Sequence, residues 1–508
     1  MKKSFTKIGT LLFVIAYLFY ISPFIIFGFS SIILENYVPL FYSESNIINI
    51  NDQPVKITLN RDRLLHTVND HFLSFAIDTS LIIGGKWWSP TGEIEIGTGN
   101  MNVKPLDLTN SQLIELTSRL SPAYLRIGGS EADNTLFNYI LPQTYELSDQ
   151  RLDEVIEFAE KTNNDLFFTV NAGPSTRNFF KEWQSDNFED MLIHLKNIDF
   201  EIPIFELGNE PNAFWLIHGI HNQISAEQYV KDFQIFQNLI KEHSPNSRTA
   251  GPSVAYWPMI GETPIQIEKE ILENIKPDIE TWHFYPMQSR RCPIALRRAN
   301  LESALHPNTM NEFLRFNKNS WISETGHAQC GGEPNLSDRF ASSFWWLDQL
   351  GQAAKSNIQV VIRQSLIGSN YGLIEENTLQ PNPDYYSSIL WKKLMTEKVL
   401  STSLENKNSY LRVYAHCSEE KTPTFLLINL HEKISQIAEF ENLNLKNAEI
   451  YKLSAKNLQS RTVELNNKEL TPFSNLEPLI NKSSKKIYTI EPQSIHFIRF
   501  STKIPACQ

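Results

Sequence analysis

From residue 72 onward the chain alternates short, branched apolar runs with stretches whose apolar positions recur every three to four residues, the pattern of strands each followed by an amphipathic helix. Strands are expected over 72–78, 123–129, 166–172, 202–210, 248–254, 279–285, 321–325 and 358–366, and helices over 111–120, 152–161, 226–242, 267–275, 338–355 and 387–395. Ser225 with Gln228, and Thr309 with Glu312, have the spacing of a capping box that starts a helix. This alternation predicts an α/β fold of the (β/α)8 barrel type over 70–398. A doubly wound open sheet is the alternative, but the Gly-x-Gly-x-x-Gly turn that usually follows its first strand is absent.

The period changes near Val399. Runs at 411–414, 424–429, 437–440, 448–453, 487–490 and 496–500 read as strands with no helix between them, which predicts an accessory β-sandwich over 399–508. Two short runs at 47–50 and 55–59 have no barrel partner and are expected to add edge strands to it, so that 40–66 joins the sandwich. At the N-terminus, Lys2, Lys3 and Lys7 precede an uncharged run over residues 8–34. Gly28 and Ser30 offer a small-x-small cleavage pattern, so 1–34 is read as a signal peptide, with an uncleaved signal anchor as the alternative. The folded part is then expected to be exported, secreted or periplasmic, with membrane contact only through that anchor.

Composition narrows the classes of partner. The formal net charge of −11 argues against nucleic acid, and 41% hydrophobic residues suffice for a large core. Four cysteines without a C-x-x-C pair argue against structural zinc and a disulfide-dense scaffold. No metal or other cofactor is expected, and a monomer is.

In such a barrel the C-terminal strand ends converge on one face. The fourth expected strand ends Phe205-Glu206-Leu207-Gly208-Asn209-Glu210-Pro211 and the seventh Trp321-Ile322-Ser323-Glu324-Thr325. Glu210 and Glu324 are therefore the candidate carboxylate pair, a proton donor and a nucleophile or base, that glycoside hydrolysis requires. One strand-end Glu alone would more simply be a solvated rim residue.

With these stand the run from Phe72 to Asp78, the run from Leu120 to Gly129, Trp282-His283, Arg363-Gln364, Asn370-Tyr371, and Val413 to Cys417 with Pro505-Ala506-Cys507. Taken in order they resemble the heparanases of glycoside hydrolase family 79, β-glucuronidases of a clan of retaining barrel enzymes whose acid/base follows an Asn on the fourth strand. The resemblance implies that Glu210 is the general acid/base and Glu324 the nucleophile. It further implies that Asn209 meets the sugar 2-OH, that His283 and Tyr285 orient or tune Glu324, and that Asp78, Ser130 and Gln364 touch the sugar. Tyr371 and the backbone amides of Gly331 and Gly332 would cradle a uronic-acid carboxylate, and Cys417 would pair with Cys507. On the residues alone, His283 also suits a satisfied core histidine and Tyr285 a rim aromatic.

The chain departs from the family by carrying Gln329-Cys330 where heparanases have Tyr and Gly, by having no long excisable linker over 136–152, and by lacking a basic stretch after the fifth strand. Cys292 and Cys330 fall just past the sixth and seventh strand ends, on neighbouring loops, and are expected to form a second disulfide; two free thiols are the alternative. Arg290, Arg291, Arg297 and Arg298 make a dense basic run that is either a solvated face or a site for sulfates and carboxylates. The implied function is a retaining, heparanase-like endo-β-glucuronidase acting on an anionic polysaccharide, heparan sulfate or a related uronic-acid polymer. An exo-β-glucuronidase and an inactive carbohydrate-binding protein are the alternatives.

Overall fold

The computed structural model describes residues 53–88, 101–256, 271–292, 297–305 and 318–508. The expectations for 1–34, for 47–50, and for the capping box of Thr309 and Glu312 lie outside these residues, as does the start of the helix expected over 267–275. Eight parallel strands, Leu73–Asp78, Tyr124–Gly128, Asp165–Val170, Ile204–Leu207, Arg248–Tyr256, Ile279–Phe284, Trp321–Thr325 and Val360–Gln364, close into a barrel in sequence order.

The two-residue period of the strands sorts their side chains. Ala76, Tyr124, Phe167, Ile204, Ala250, Ile279, Trp321, Val360 and Ile362 pack together as one cluster, the barrel interior. Phe75, Ile77, Leu125, Ile127, Phe205 and Leu207, the neighbours in between, belong to the larger core with the surrounding helices. The Arg248 guanidinium lies over the Tyr124 and Trp321 rings, 5.9 and 5.7 Å from their centroids, below the catalytic end. Two residues beyond the inward Ala76, Tyr124, Ile204 and Ile362 come Asp78, Arg126, Glu206 and Gln364. One alternation thus fills the lower barrel with apolar groups and its C-terminal end with polar ones.

Among the helices, Ser111–Ser118, Asp149–Lys161, Ala226–His243, Phe340–Lys355 and Pro383–Leu394 correspond to sequence expectations. Ser225 Oγ does accept from the Gln228 amide at 3.1 Å, but the Gln228 side chain turns to Asp232 at 2.7 Å, so the cap is one-sided. The helix Asp186–Asn197 was absent from the sequence reading although Phe188, Met191, Leu192 and Leu195 recur at helical spacing and are all buried.

The accessory strands form one continuous eleven-stranded sheet. The N-terminal strand Val55–Thr67 does not lie at an edge, as the sequence suggested. It pairs antiparallel with Lys398–Glu405 and parallel with Gln436–Phe440, inside the sheet. The sheet folds back on its apolar face, so that Phe440 meets Phe425 and Phe500 at ring-centroid distances of 5.1 and 4.9 Å. On the strand Pro423–Asn429, Phe425 and Leu427 enter this inner core, while Leu426 and Ile428 join the barrel core. Both faces of the strand are therefore buried, which explains its continuous apolar run. Cys417 and Cys507 are joined by a disulfide that ties down the last segment.

Candidate active site

Arg126 organises the catalytic end. Its side chain is fully buried and donates from Nε to Glu206 Oε2 at 2.9 Å, from Nη1 to Glu324 Oε2 at 2.9 Å, and from Nη2 to Asn209 Oδ1 at 3.0 Å. Burial alone would raise the Glu206 carboxyl, yet Arg126 and a hydrogen bond from Ser253 hold it below its ordinary value. Glu206 is thus the charge that keeps the guanidinium in place, leaving the remaining donors for Asn209 and Glu324.

Glu324 reaches the site through a shift in register. Trp282 lies opposite Ile322, but the next pair is His283 with Glu324, so one extra residue on the seventh strand brings Glu324 beside His283. Tyr285 donates its hydroxyl to Glu324 Oε1 at 2.7 Å, and with Arg126 this fixes both carboxylate oxygens. Burial and the neighbouring Glu324 push the Tyr285 phenol well above its ordinary value, which keeps it a donor.

Glu210 stands beyond its strand in the left-handed region, at φ 54° and ψ 52°, a conformation uncommon for a residue with a side chain. Its amide donates to Ser253 O at 3.2 Å and its carbonyl accepts from Ala213 at 2.7 Å. Burial pushes its carboxyl up to about 7, against the opposing pull of Arg126. His283 faces Arg126 Nη2 through Nε2 at 3.4 Å and Glu210 Oε1 through Nδ1 at 3.2 Å. Because the guanidinium only donates, Nε2 accepts, and Nδ1 carries the proton toward Glu210. Burial depresses the His283 pKa to about 4, so the ring is neutral at physiological pH. The sequence placed His283 with Glu324, but Glu324 Oε2 is 4.0 Å away and Glu210 is nearer.

One carboxylate oxygen each of Glu210 and Glu324, with His283 Nδ1, lie within 4.8 Å of one another. Among the described residues these three make a cluster that a cation could fit by distance, but the Arg126 guanidinium against Glu324 disfavours a second positive charge.

The other expected contacts separate into groups. Asp78 Oδ2 accepts from Gln364 Nε2 at 3.0 Å and its Oδ1 from the Ser80 amide and hydroxyl, and burial raises its pKa to about 7. Ser130 is exposed in the turn Ser130–Asn134. The buried Tyr371 ring packs against Tyr285 and Trp87, with centroids 6.5 and 6.1 Å apart. Gly331 and Gly332 both have φ of 81°, which suits glycine, but the Gly332 amide donates to Ala328 O at 3.1 Å and is committed within the protein rather than to a substrate anion.

At the rim, Cys292 and Cys330 form a disulfide with a Cα–Cα distance of 5.4 Å. Beside it, Met287–Gln288 and Ala328–Gln329 pair as a short parallel ladder. Arg290 is ion-paired with Glu333, whose Oε2 also accepts the Arg290 amide at 2.9 Å, and Arg291 is buried at 2% exposure. The Arg290–Glu333 pair links the two rim loops although the Arg290 side chain stays half-exposed, and of the rest of the basic run Arg298 is exposed.

Sequence reasoning did not assign Arg126 or Glu206. Both are charged residues at inward positions of otherwise apolar strands, and that was the available signal.

The description "Glycosyl hydrolase family 79, N-terminal domain" matches residues 143–258 and 300–351. Over these residues the chain resembles glycosyl hydrolase family 79. It is 29% identical to heparanase of Bos taurus over 82% of this chain and 85% of that protein. It is 27% identical to baicalin-beta-D-glucuronidase of Scutellaria baicalensis over 92% of this chain and 94% of that one. Among solved structures, a GH51 arabinofuranosidase from Xanthomonas axonopodis pv. citri has a TM-score of 0.63 at 14% identity, covering 88% of this chain and 100% of its own, a likeness of fold. The chain is a glycoside hydrolase, and its buried acidic pair stands at the end where such barrels carry their chemistry.

Proposed function

We propose that this chain is a retaining β-glucuronidase of family 79 and of heparanase type, with Glu210 as acid/base and Glu324 as nucleophile, acting within a glucuronic-acid polymer such as heparan sulfate. The observation that carries the mechanism is the separation of the two carboxylates: oxygens within 4.8 Å suit direct attack, whereas an inverting enzyme keeps its carboxyls about 6.5–9.5 Å apart to admit a water. Glu210, protonated near neutral pH because it is buried, gives its proton to the leaving oxygen as Glu324 attacks the anomeric carbon. The resulting glycosyl ester is hydrolysed by water that Glu210 deprotonates, which restores both groups. Arg126 and Tyr285 hold Glu324 along the line of attack, and Asn209, held by Arg126, faces the position of the sugar 2-OH. The names and identities of the heparanase and the baicalin glucuronidase support a glucuronide substrate. The two disulfides support export of the folded chain.

An exo-β-glucuronidase is the second reading. It is favoured by the pairing of Arg290 with Glu333, which offsets that charge, and by the burial of Arg291, which withdraws it from any sulfate-binding surface. Incubating the purified protein with heparan sulfate and with a chromogenic β-glucuronide, beside Glu324→Gln, separates the readings. Internal chain shortening with β-configured first product supports the endo retaining enzyme. Terminal release alone supports exo action. An α-configured first product rejects retention, and inertness on every glucuronide leaves an inactive binding protein.

A further inference from the structure

The second strand is followed by the turn Ser130–Asn134, whose fourth residue, Asp133, is fully buried below the acid/base loop. Its Oδ1 accepts from the Ala172 amide and its Oδ2 from the Asn209 amide, both at 2.9 Å. These amides lie past the ends of the third and fourth strands, Asp165–Val170 and Ile204–Leu207. The ladder between those strands stops at Val170 and Leu207, so it offers Asn209 no partner, and a buried amide without one is costly. Space for the carboxylate is built in: a side chain at Gly173 would collide with the Asp133 backbone and Cβ. A further 4.0 Å away stands His218 Nε2, and Arg177, itself paired with Asp232 at 2.7 Å, offsets part of the buried charge.

We infer that Asp133 is a positioning residue for the acid/base: by fixing the Asn209 peptide from below, it sets the backbone from which Glu210 projects toward the leaving oxygen. Asn209 is held at both ends, its amide by Asp133 and its side-chain oxygen by Arg126. Glu210 is the next residue, in a left-handed conformation that the surrounding bonds must impose. The nucleophile is held separately, by Arg126 and Tyr285, and Asp133 makes no hydrogen bond to either of these. The inference rests on the assignment of Glu210 as the proton donor.

The test compares kcat/KM on an aryl glucuronide whose leaving group needs no proton, dinitrophenyl, with one whose leaving group does, methoxyphenyl. Asp133→Asn keeps the shape but replaces one accepting oxygen by an amide that cannot accept. It is expected to lose at least about tenfold more on the methoxyphenyl than on the dinitrophenyl substrate, because misplacement of a general acid matters only where protonation does. The ratio between substrates is taken within one preparation, so it does not depend on how much of the variant folds. Glu210→Gln is the control and is expected to show the same selectivity more strongly. Equal losses on both substrates by Asp133→Asn, or no loss, while Glu210→Gln discriminates, would overturn the role of Asp133 alone. If Glu210→Gln also fails to discriminate, the acid/base assignment falls and takes the inference with it.

Discussion

At the scale of single residues, chemistry is set by which charges are compensated. Glu210 sits in the barrel mouth with a pKa raised to about 7 by burial, and its neighbour His283 is too depressed to add a cation. Since proton donation needs the neutral acid, kcat/KM on an unactivated glucuronide is expected to fall as pH rises through about 7, and a pH profile checks this. On a dinitrophenyl glucuronide, for which no proton is needed, that basic limb should already be absent with Glu210 in place. Tyr285→Phe removes one of the two groups fixing Glu324 and is expected to lower kcat by about tenfold or more with KM little changed, since the bond orients the nucleophile without meeting substrate. Glu206 has a different part. Glu206→Ala would leave Arg126 buried without its main partner, so about 3–5 kcal/mol of stability should be lost in denaturant unfolding, in addition to activity.

At the scale of elements, strand alternation explains most of what the sequence disclosed. Glu324 was legible as a charged residue ending an apolar strand, and Glu210 as part of Asn-Glu-Pro after another. What the alternation did not supply was the register shift at the seventh strand, by which Glu324 and not Ser323 stands beside His283. Pairing between strands depends on their neighbours, and a single strand does not encode it. Rim loops show the same limit. The cluster of arginines was plain in the sequence, but Glu333, the acid that engages Arg290, lies 43 positions further along the chain. Cys292 and Cys330 close a loop of 38 residues across that rim, and their joint replacement by Ser is expected to cost up to about 4 kcal/mol in thermal or denaturant unfolding of the oxidised protein. A larger KM at unchanged kcat would accompany it if the clamp shapes the substrate groove.

At the scale of the molecule, barrel and sheet share one core. Helix Phe340–Lys355 is buried along almost its whole length, and Tyr414 of the sheet donates its hydroxyl to Asp348 of that helix while its ring covers Gly351. Gly351→Ala would drive a methyl group into the Tyr414 ring and is expected to cost about 1–3 kcal/mol by denaturant titration, with activity of the folded fraction retained. Val55–Thr67 shows a run of β character in sequence, but whether both its edges are paired depends on Lys398–Glu405 and Gln436–Phe440, distant in the chain. The chain by itself determined the period of its elements, and through it the barrel, the change to β structure near Val399 and the two carboxylates at strand ends, because local periodicity and residue type are properties of contiguous sequence. Only the tertiary structure decided which oxygen meets which donor: that Arg126 joins Glu206, Asn209 and Glu324, that His283 turns to Glu210, and that Asp133 holds the Asn209 amide. Those bonds join residues dozens of positions apart, and their strengths and the pKa shifts they oppose come from exclusion of water, which exists only once the barrel has closed.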